Sequence, residues 1–307
     1  MSTLLSMPEW LPRAIAEKRP LVALESTAIA HGLPWPENFE TLHEILAAVR
    51  KAGAEAVVIG ITGGRLTVGL DEATLERFAR KGQQVIKVSR RDLATAVASG
   101  SDGATTVAAT MIAAARAGIH LFATGGIGGV HRSHDPAQAS FDISADLYEL
   151  ARTPVCVISS GAKSILDLPR TLEMLESLGV PVVGYGTRNF PTFYSRDAQL
   201  PLRSSLSSPA EAAQLLEIHR QLELGGILIA NPLPEAAAIP SQQLESWLTE
   251  ALEMAEREGV TGAAVTPFLL SELHRRSKGR TLAANRALLI ANAQLAAEIA
   301  VAGAAKV

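Results

Sequence analysis

Four side chains capable of covalent, proton or metal chemistry fall in loops or at the ends of apolar runs: Glu25, Lys87, Asp142 and Lys163. The densest stretch is 140–164. Asp142 and Asp146 stand where a loop becomes a helix, with Ser144 as the expected N-cap. Asp142 then lies outside the helix, where a carboxylate can hold a cation. Asp146 falls in the first turn, near unsatisfied N–H groups. Either acid alone could equally be a cap. The apolar run 155–159 predicts a short buried strand that ends in Ser159-Ser160-Gly161-Ala162, just before Lys163. Open α/β sheets hold ligands beyond the carboxyl ends of their strands. An amine there, shielded from water, is a candidate nucleophile; otherwise it is a surface charge.

Other candidates carry a bland reading beside a functional one. Glu25 follows the run Leu21-Val22-Ala23-Leu24 and is either a structural acceptor or a functional acid. The turn-rich loop from His31 to Pro36 could fold over such a site. Lys87 sits near the end of a predicted strand at 85–88. The run from Thr124 to Val130 holds four glycines. It is either an anion-binding nest or a tight turn that lets backbones approach closely, and it matches neither common nucleotide-loop pattern. His131 follows and could orient a substrate, or be an exposed loop histidine. Asn285 and Asn292 lie in an Ala-rich helix. A buried amide needs partners there, from a site or a subunit contact. Cys156 reads as a small core residue.

The elements that must position these groups alternate between strand and helix patterns along all 307 residues, with no repeat or linker. The expected architecture is α/β: a single three-layer α/β/α domain, 1–307, with a mixed, mostly parallel sheet. Residues 1–19 read as a short N-terminal extension or helix. A helix over 104–117 is expected to start at Thr105-Thr106. The segment 186–208 is polar and aromatic with little periodicity, so it reads as a lid-like or oligomer-contact loop. Charged residues make up 19% and net charge is −3 without a long basic run, which argues against nucleic acid as a partner. Neither a secretory signal pattern nor an uninterrupted apolar run of membrane-spanning length occurs, and the single cysteine suits a reducing compartment. A cytoplasmic protein without membrane partners is therefore expected.

Taken in order, ALESTAIAHGLPWPEN, VSRRDL, GATTVAATM, FATGGIGGVHR, FDISADL, SSGAKSILDLP, VGYGT, ANPLP and VTPFLL strongly resemble the pseudouridine-5'-phosphate glycosidases, over residues 21–297. The resemblance implies reversible cleavage of pseudouridine 5'-phosphate to uracil and ribose 5-phosphate, with Mn2+ and no organic cofactor. It implies an imine on Lys163, Glu25 as general acid, and Asp142 as metal ligand. Ser144, Ala145, Asp146, Lys87 and the backbone near Thr106 and Val107 match substrate-binding positions, and His131 and Asn292 match positions near the sugar or base. A homotrimer is implied as well. The chain departs from the pattern in a longer loop between His131 and Phe141, in Arg188-Asn189 before the Phe-Pro, and in Ala263-Ala264 before VTPFLL. Readings of other classes are a lysine-dependent sugar-phosphate lyase or aldolase, which substrate screening would separate, and a non-catalytic binder of nucleotides or sugar phosphates.

Overall fold

The computed structural model describes residues 4–132, 141–196, 198–260 and 265–305. One large sheet runs through it. From edge to edge its strands are Leu5–Ser6, Arg65–Val68, Glu55–Thr62, Leu21–Glu25, Leu121–Ala123, Cys156–Ser159, Ile227–Ala230, Val182–Tyr185 and Ser204–Leu206. Gly103–Thr105 pairs antiparallel with Glu55–Thr62 and parallel with Ile86–Val88. Arg65–Val68 is the other antiparallel neighbour of Glu55–Thr62, through the tight Thr62-to-Arg65 turn; the remaining pairings in this sheet are parallel. The sheet is mixed and mostly parallel, as expected from the strand–helix alternation.

The central strands are short and apolar because both faces are covered. Val22, Ala23, Phe122, Val157, Ile158, Leu228 and Ile229 are buried. Arg280–Ala304 packs on these strands between Glu37–Lys51 and Pro209–Gln221, while Val107–Ala117, with Ala145–Leu150 beside it, packs on the Leu21–Glu25 and Glu55–Thr62 strands. Arg280–Ala304 is long and apolar enough to cross a bilayer, but half of its most apolar window is buried inside the fold. Its apolar length is therefore spent on the core.

Several boundaries differ from expectation. Within the N-terminal stretch, Trp10–Ala16 is a helix, in line with the helix alternative, with Leu11 and Ala14 buried, and Leu5–Ser6 adds a strand at the sheet edge that was not expected. The helix expected over 104–117 is shortened to Val107–Ala117, because 103–105 is recruited as a strand. The segment 186–208 divides in two. Phe190, Phe193, Tyr194 and Ser195 are buried, and Ser204–Leu206 forms an edge strand. Phe190 to Ser195 therefore pack against the rest of this chain. Most of the extended 131–141 loop, and Ala263 and Ala264, lie outside the described residues.

Candidate active site

The carboxyl ends of the central strands carry the charged groups. Glu25 closes its own strand and is followed by a helical turn, Thr27–Ala30. The turn is held in place because the Ser26 hydroxyl accepts the Thr105 N–H at 2.9 Å. Thr27 then donates its hydroxyl to Glu25 Oε2, and Thr124, one strand over, donates to Oε1. Glu25 lines a small, partly open hollow of about 20 Å3 together with Leu24, Leu42, Ile45 and Leu289 among others. A fraction of Glu25 still reaches the surface, yet burial dominates its surroundings and holds its pKa above the ordinary carboxylate value. The two hydroxyls and the Lys163 charge work against that rise, and the Asp146 charge adds to it.

Lys163 follows the Cys156–Ser159 strand on a loop that hydrogen bonds to its neighbours on both sides. Ser160 donates its N–H to Gly125 O, Ile127 donates to Gly161 O and Lys163 donates to Ile127 O, at 2.9 to 3.1 Å. On the other side Phe193 donates to Ser160 O at 2.9 Å, and the Ser164 hydroxyl donates to Thr192 O at 2.5 Å. Gly161 is required here: its φ is +72°, and a Cβ would lie 1.8 Å from Pro191 O. Lys87, near the end of Ile86–Val88, keeps part of its side chain exposed, and its charge interacts with those of Lys163, Glu25 and Asp146. Burial and the Lys163 cation push its pKa below the ordinary lysine value, while Glu25 and Asp146 pull it back up.

Asp146 is 6% exposed and both its oxygens are taken. Oδ1 accepts the Ala108 N–H at 3.0 Å and Oδ2 accepts the Gly128 N–H at 2.8 Å. The carboxylate thus ties the start of Val107–Ala117 to the glycine loop, rather than capping only its own helix. Ser144, the N-cap, accepts the Asp146 N–H at 3.2 Å, and Ala145 opens the helix beside it. A Cβ on Gly128 would lie 2.3 Å from Ser144 Oγ. The glycine loop therefore acts as a close-approach turn. The N–H groups of Ile127, Gly128 and Val130 are committed within the protein, Val130 to the Thr171 hydroxyl at 3.0 Å, so the anion-nest reading does not hold for them.

The remaining candidates are placed as follows. Val107 is buried at the start of its helix, and the buried Thr106 hydroxyl has no partner among the described residues. His131 and Asp142 stand 3.7 Å apart, Nδ1 to Oδ2, with 69% of the Asp142 side chain exposed. No cluster of three His, Cys, Asp or Glu able to cage a metal occurs among the described residues. One exposed carboxylate with an imidazole beside it suits a hard cation that keeps mostly water ligands. Asn292 is fully buried beneath the loops. Its amide donates to Thr124 O at 2.8 Å and to Ser160 Oγ at 3.2 Å, and its oxygen accepts from Asn231 at 3.0 Å. The partners this asparagine needed come from its own chain.

Sequence reasoning passed over Thr27, Thr124, Ser160 and Asn231 as partners, because each pairing joins elements distant in sequence or rests on a common residue type. His31 was placed only in a loop. Its Nδ1 lies 3.0 Å from Gln83 Oε1, and its Nε2 is buried without a partner among the described residues. Burial, reinforced by the Lys87 charge, lowers its pKa against the Gln83 hydrogen bond.

With this geometry in hand, comparison with known proteins is specific. A profile of the family described as "Indigoidine synthase A like protein" matches residues 11–302. A pseudouridine-5'-phosphate glycosidase of Paracoccus denitrificans is 50% identical over 304 residues, covering 98% of this chain and 99% of that one. One from Methylobacterium nodulans is 52% identical, covering 92% of this chain and 83% of its own. Among solved structures, the prealnumycin C-glycosynthase AlnA in complex with ribulose 5-phosphate superposes with a TM-score of 0.91 at 41% identity, covering 100% and 99% of the two chains. An indigoidine synthase A-like protein of Thermotoga maritima superposes at 0.85 with 38% identity, covering 97% and 96%.

Proposed function

The chain belongs to the family described as indigoidine synthase A like protein, and on that premise we propose that it cleaves, reversibly, the carbon–carbon glycosidic bond of pseudouridine 5'-phosphate, giving uracil and ribose 5-phosphate. The observation that supports this chemistry best is the convergence of Glu25, Lys87 and Lys163, from three separate segments, within electrostatic reach of one another.

The bond to be broken joins ribose C1' to uracil C5. An ordinary glycosidase protonates a leaving oxygen across a pair of carboxylates; here the leaving atom is carbon and has no lone pair. Opening the sugar removes this obstacle. The Lys163 amine adds to C1' as the C1'–O4' bond breaks and O4' takes up a proton, leaving an open-chain secondary amine whose nitrogen lone pair can later form C1'=N+. Glu25 delivers a proton to C5, which becomes tetrahedral; the nitrogen lone pair then forms the C1'=N+ iminium as the C1'–C5 bond breaks, and the electron pair of that bond returns to the uracil ring. A carboxyl held above its ordinary pKa by burial suits a proton donor. Water releases ribose 5-phosphate from the lysine. Lys87 and the unpartnered Thr106 hydroxyl are the groups assigned to the 5'-phosphate. Asp146, with both oxygens occupied, shapes the cleft and sets its charge, while Asn292 holds the Thr124 and Ser160 loops. Asp142, with His131 beside it, would hold Mn2+. A bound cation there supplies orientation and polarisation of the base or its waters. The proposal extends to a homotrimer in the cytoplasm.

The test is to incubate the purified protein with pseudouridine 5'-phosphate, with and without Mn2+, and to quantify uracil by chromatography. Metal-dependent uracil release is expected. A folded protein that neither releases uracil nor consumes it with ribose 5-phosphate overturns the reading. The likeness to a C-glycosynthase favours one second reading, that bond formation is the working direction; the ratio of the two initial rates decides it.

A further inference from the structure

Two buried glutamates show how differently this fold treats a carboxyl group. Glu149, 1% exposed, faces the Arg90 guanidinium at 2.5 Å and accepts the Thr153 hydroxyl. Glu25 has no guanidinium partner among the described residues. One threonine hydroxyl meets each of its oxygens instead, Thr27 on Oε2 and Thr124 on Oε1. The threonines come from different elements and are 7% and 2% exposed. Thr124 is fixed at both backbone groups: its N–H donates to Ile158 O at 3.0 Å, and its carbonyl accepts from Asn292 at 2.8 Å.

We propose that Thr27 and Thr124 are positioning residues for proton transfer, clamping the Glu25 carboxyl so that its acidic hydrogen is presented to the substrate carbon in one orientation. A hydroxyl can donate or accept. While Glu25 is ionised, both threonines donate to it. When Glu25 carries the proton, the hydroxyl at the protonated oxygen turns away and the other keeps donating. On transfer the Glu25 O–H bond breaks as the C–H bond forms, and the electron pair stays on the carboxylate, where both hydroxyls donate again. The clamp thus orients the acid and stabilises the ionised product of the step. Lys163 and Lys87 favour the same ionised form across the cleft, and Asp146 opposes it.

The kinetic arm of the test rests on the glycosidase reading; the titration arm does not. Thr27→Val and Thr124→Val keep the shape and remove the hydroxyl, and Thr27→Ser and Thr124→Ser restore it. Protein labelled with carbon-13 at the glutamate carboxyl is titrated by NMR, with Glu25→Gln assigning the signal. Each valine variant is expected to move the Glu25 midpoint to higher pH and to lower kcat by about ten- to a hundredfold with KM little changed; serine returns both. An unmoved midpoint in a folded valine variant, or a serine variant that restores nothing, overturns the clamp. Should a valine variant not fold, the alanine variant at that position carries the same two readouts. If the parent protein releases no uracil, the glycosidase reading falls, while the NMR midpoints still decide the clamp.

Discussion

The two ends of the central sheet invite comparison. At the amino ends of the strands lies a broad hollow of about 380 Å3 lined by His120, Arg152, Pro154, Arg220, Glu223, Leu224 and Gly225. At the carboxyl ends, the void against Glu25 is only about 20 Å3. Size therefore points the wrong way. In the broad hollow the charges are exposed and already served. Arg220 is paired with Glu217 at 2.8 Å, the Arg152 guanidinium lies over the Tyr148 ring, and the His120 Nδ1 lies 2.9 Å from Pro154 O. At the other end, Glu25 and Lys87 have pKa values displaced by burial in opposite directions, toward their neutral forms. Groups whose charged form is disfavoured and that are held by a rigid backbone cluster at functional sites. A roomy surface whose Arg220, Arg152 and His120 are exposed and already engaged offers nothing comparable.

The strongest way to break this contrast is at Lys163. Lys163→Ala is expected to abolish turnover and any borohydride-trapped adduct, whereas Lys87→Ala should chiefly raise KM and leave the adduct trappable. An adduct that survives in Lys163→Ala and vanishes in Lys87→Ala would exchange the roles of the two amines. Next comes Glu25→Gln, with an expected loss of roughly 10²- to 10⁴-fold in uracil release, while an imine formed with added ribose 5-phosphate can still be trapped. This variant also sharpens the contrast through stability. The folded chain keeps the Glu25 proton above the ordinary value of 4.5. The stability of this group is therefore fully present below that value and lost as pH rises through the raised pKa. The melting temperature of Glu25→Gln, compared with the parent, should gain from acid to neutral pH; a difference that stays flat with pH would contradict the burial argument.

Smaller effects follow. Asn292→Leu leaves the Asn231 amide and the Thr124 carbonyl without their partner and should cost about 2–4 kcal/mol, read as a lower denaturant midpoint. Asp142→Asn should raise the Mn2+ concentration needed for half-maximal rate on the order of tenfold; an unchanged metal response would remove Asp142 as the ligand. At the other end of the sheet, Arg152→Ala and Arg220→Ala should leave turnover within about twofold, since exposed pairs contribute little. A large loss there would show that the broad hollow takes part in the reaction.

Much of the fold was legible in local pattern. Short apolar runs read as buried strands, and the expected cap Ser144 marks a helix start that the structure reproduces through its side-chain bond. What escaped was short and non-local. Gly103–Thr105 has too little length to announce itself and becomes a strand only because Glu55–Thr62 and Ile86–Val88 flank it. Phe190 to Ser195 lack periodicity, yet they pack under the Lys163 loop because Gly161 allows the Pro191 carbonyl to approach.

The sequence by itself determined the α/β alternation, the residue types at the strand ends and the motif order that marks the family. Those rest on local preferences and on residues read one at a time. Only the tertiary structure decided that Asp146 spends its charge on two backbone N–H groups, that Asn292 serves the chain rather than open solvent, and that Glu25 meets two hydroxyls. Such partnerships depend on which distant segments the sheet order brings together, and burial and hydrogen bonding at those junctions set the protonation behaviour of each group.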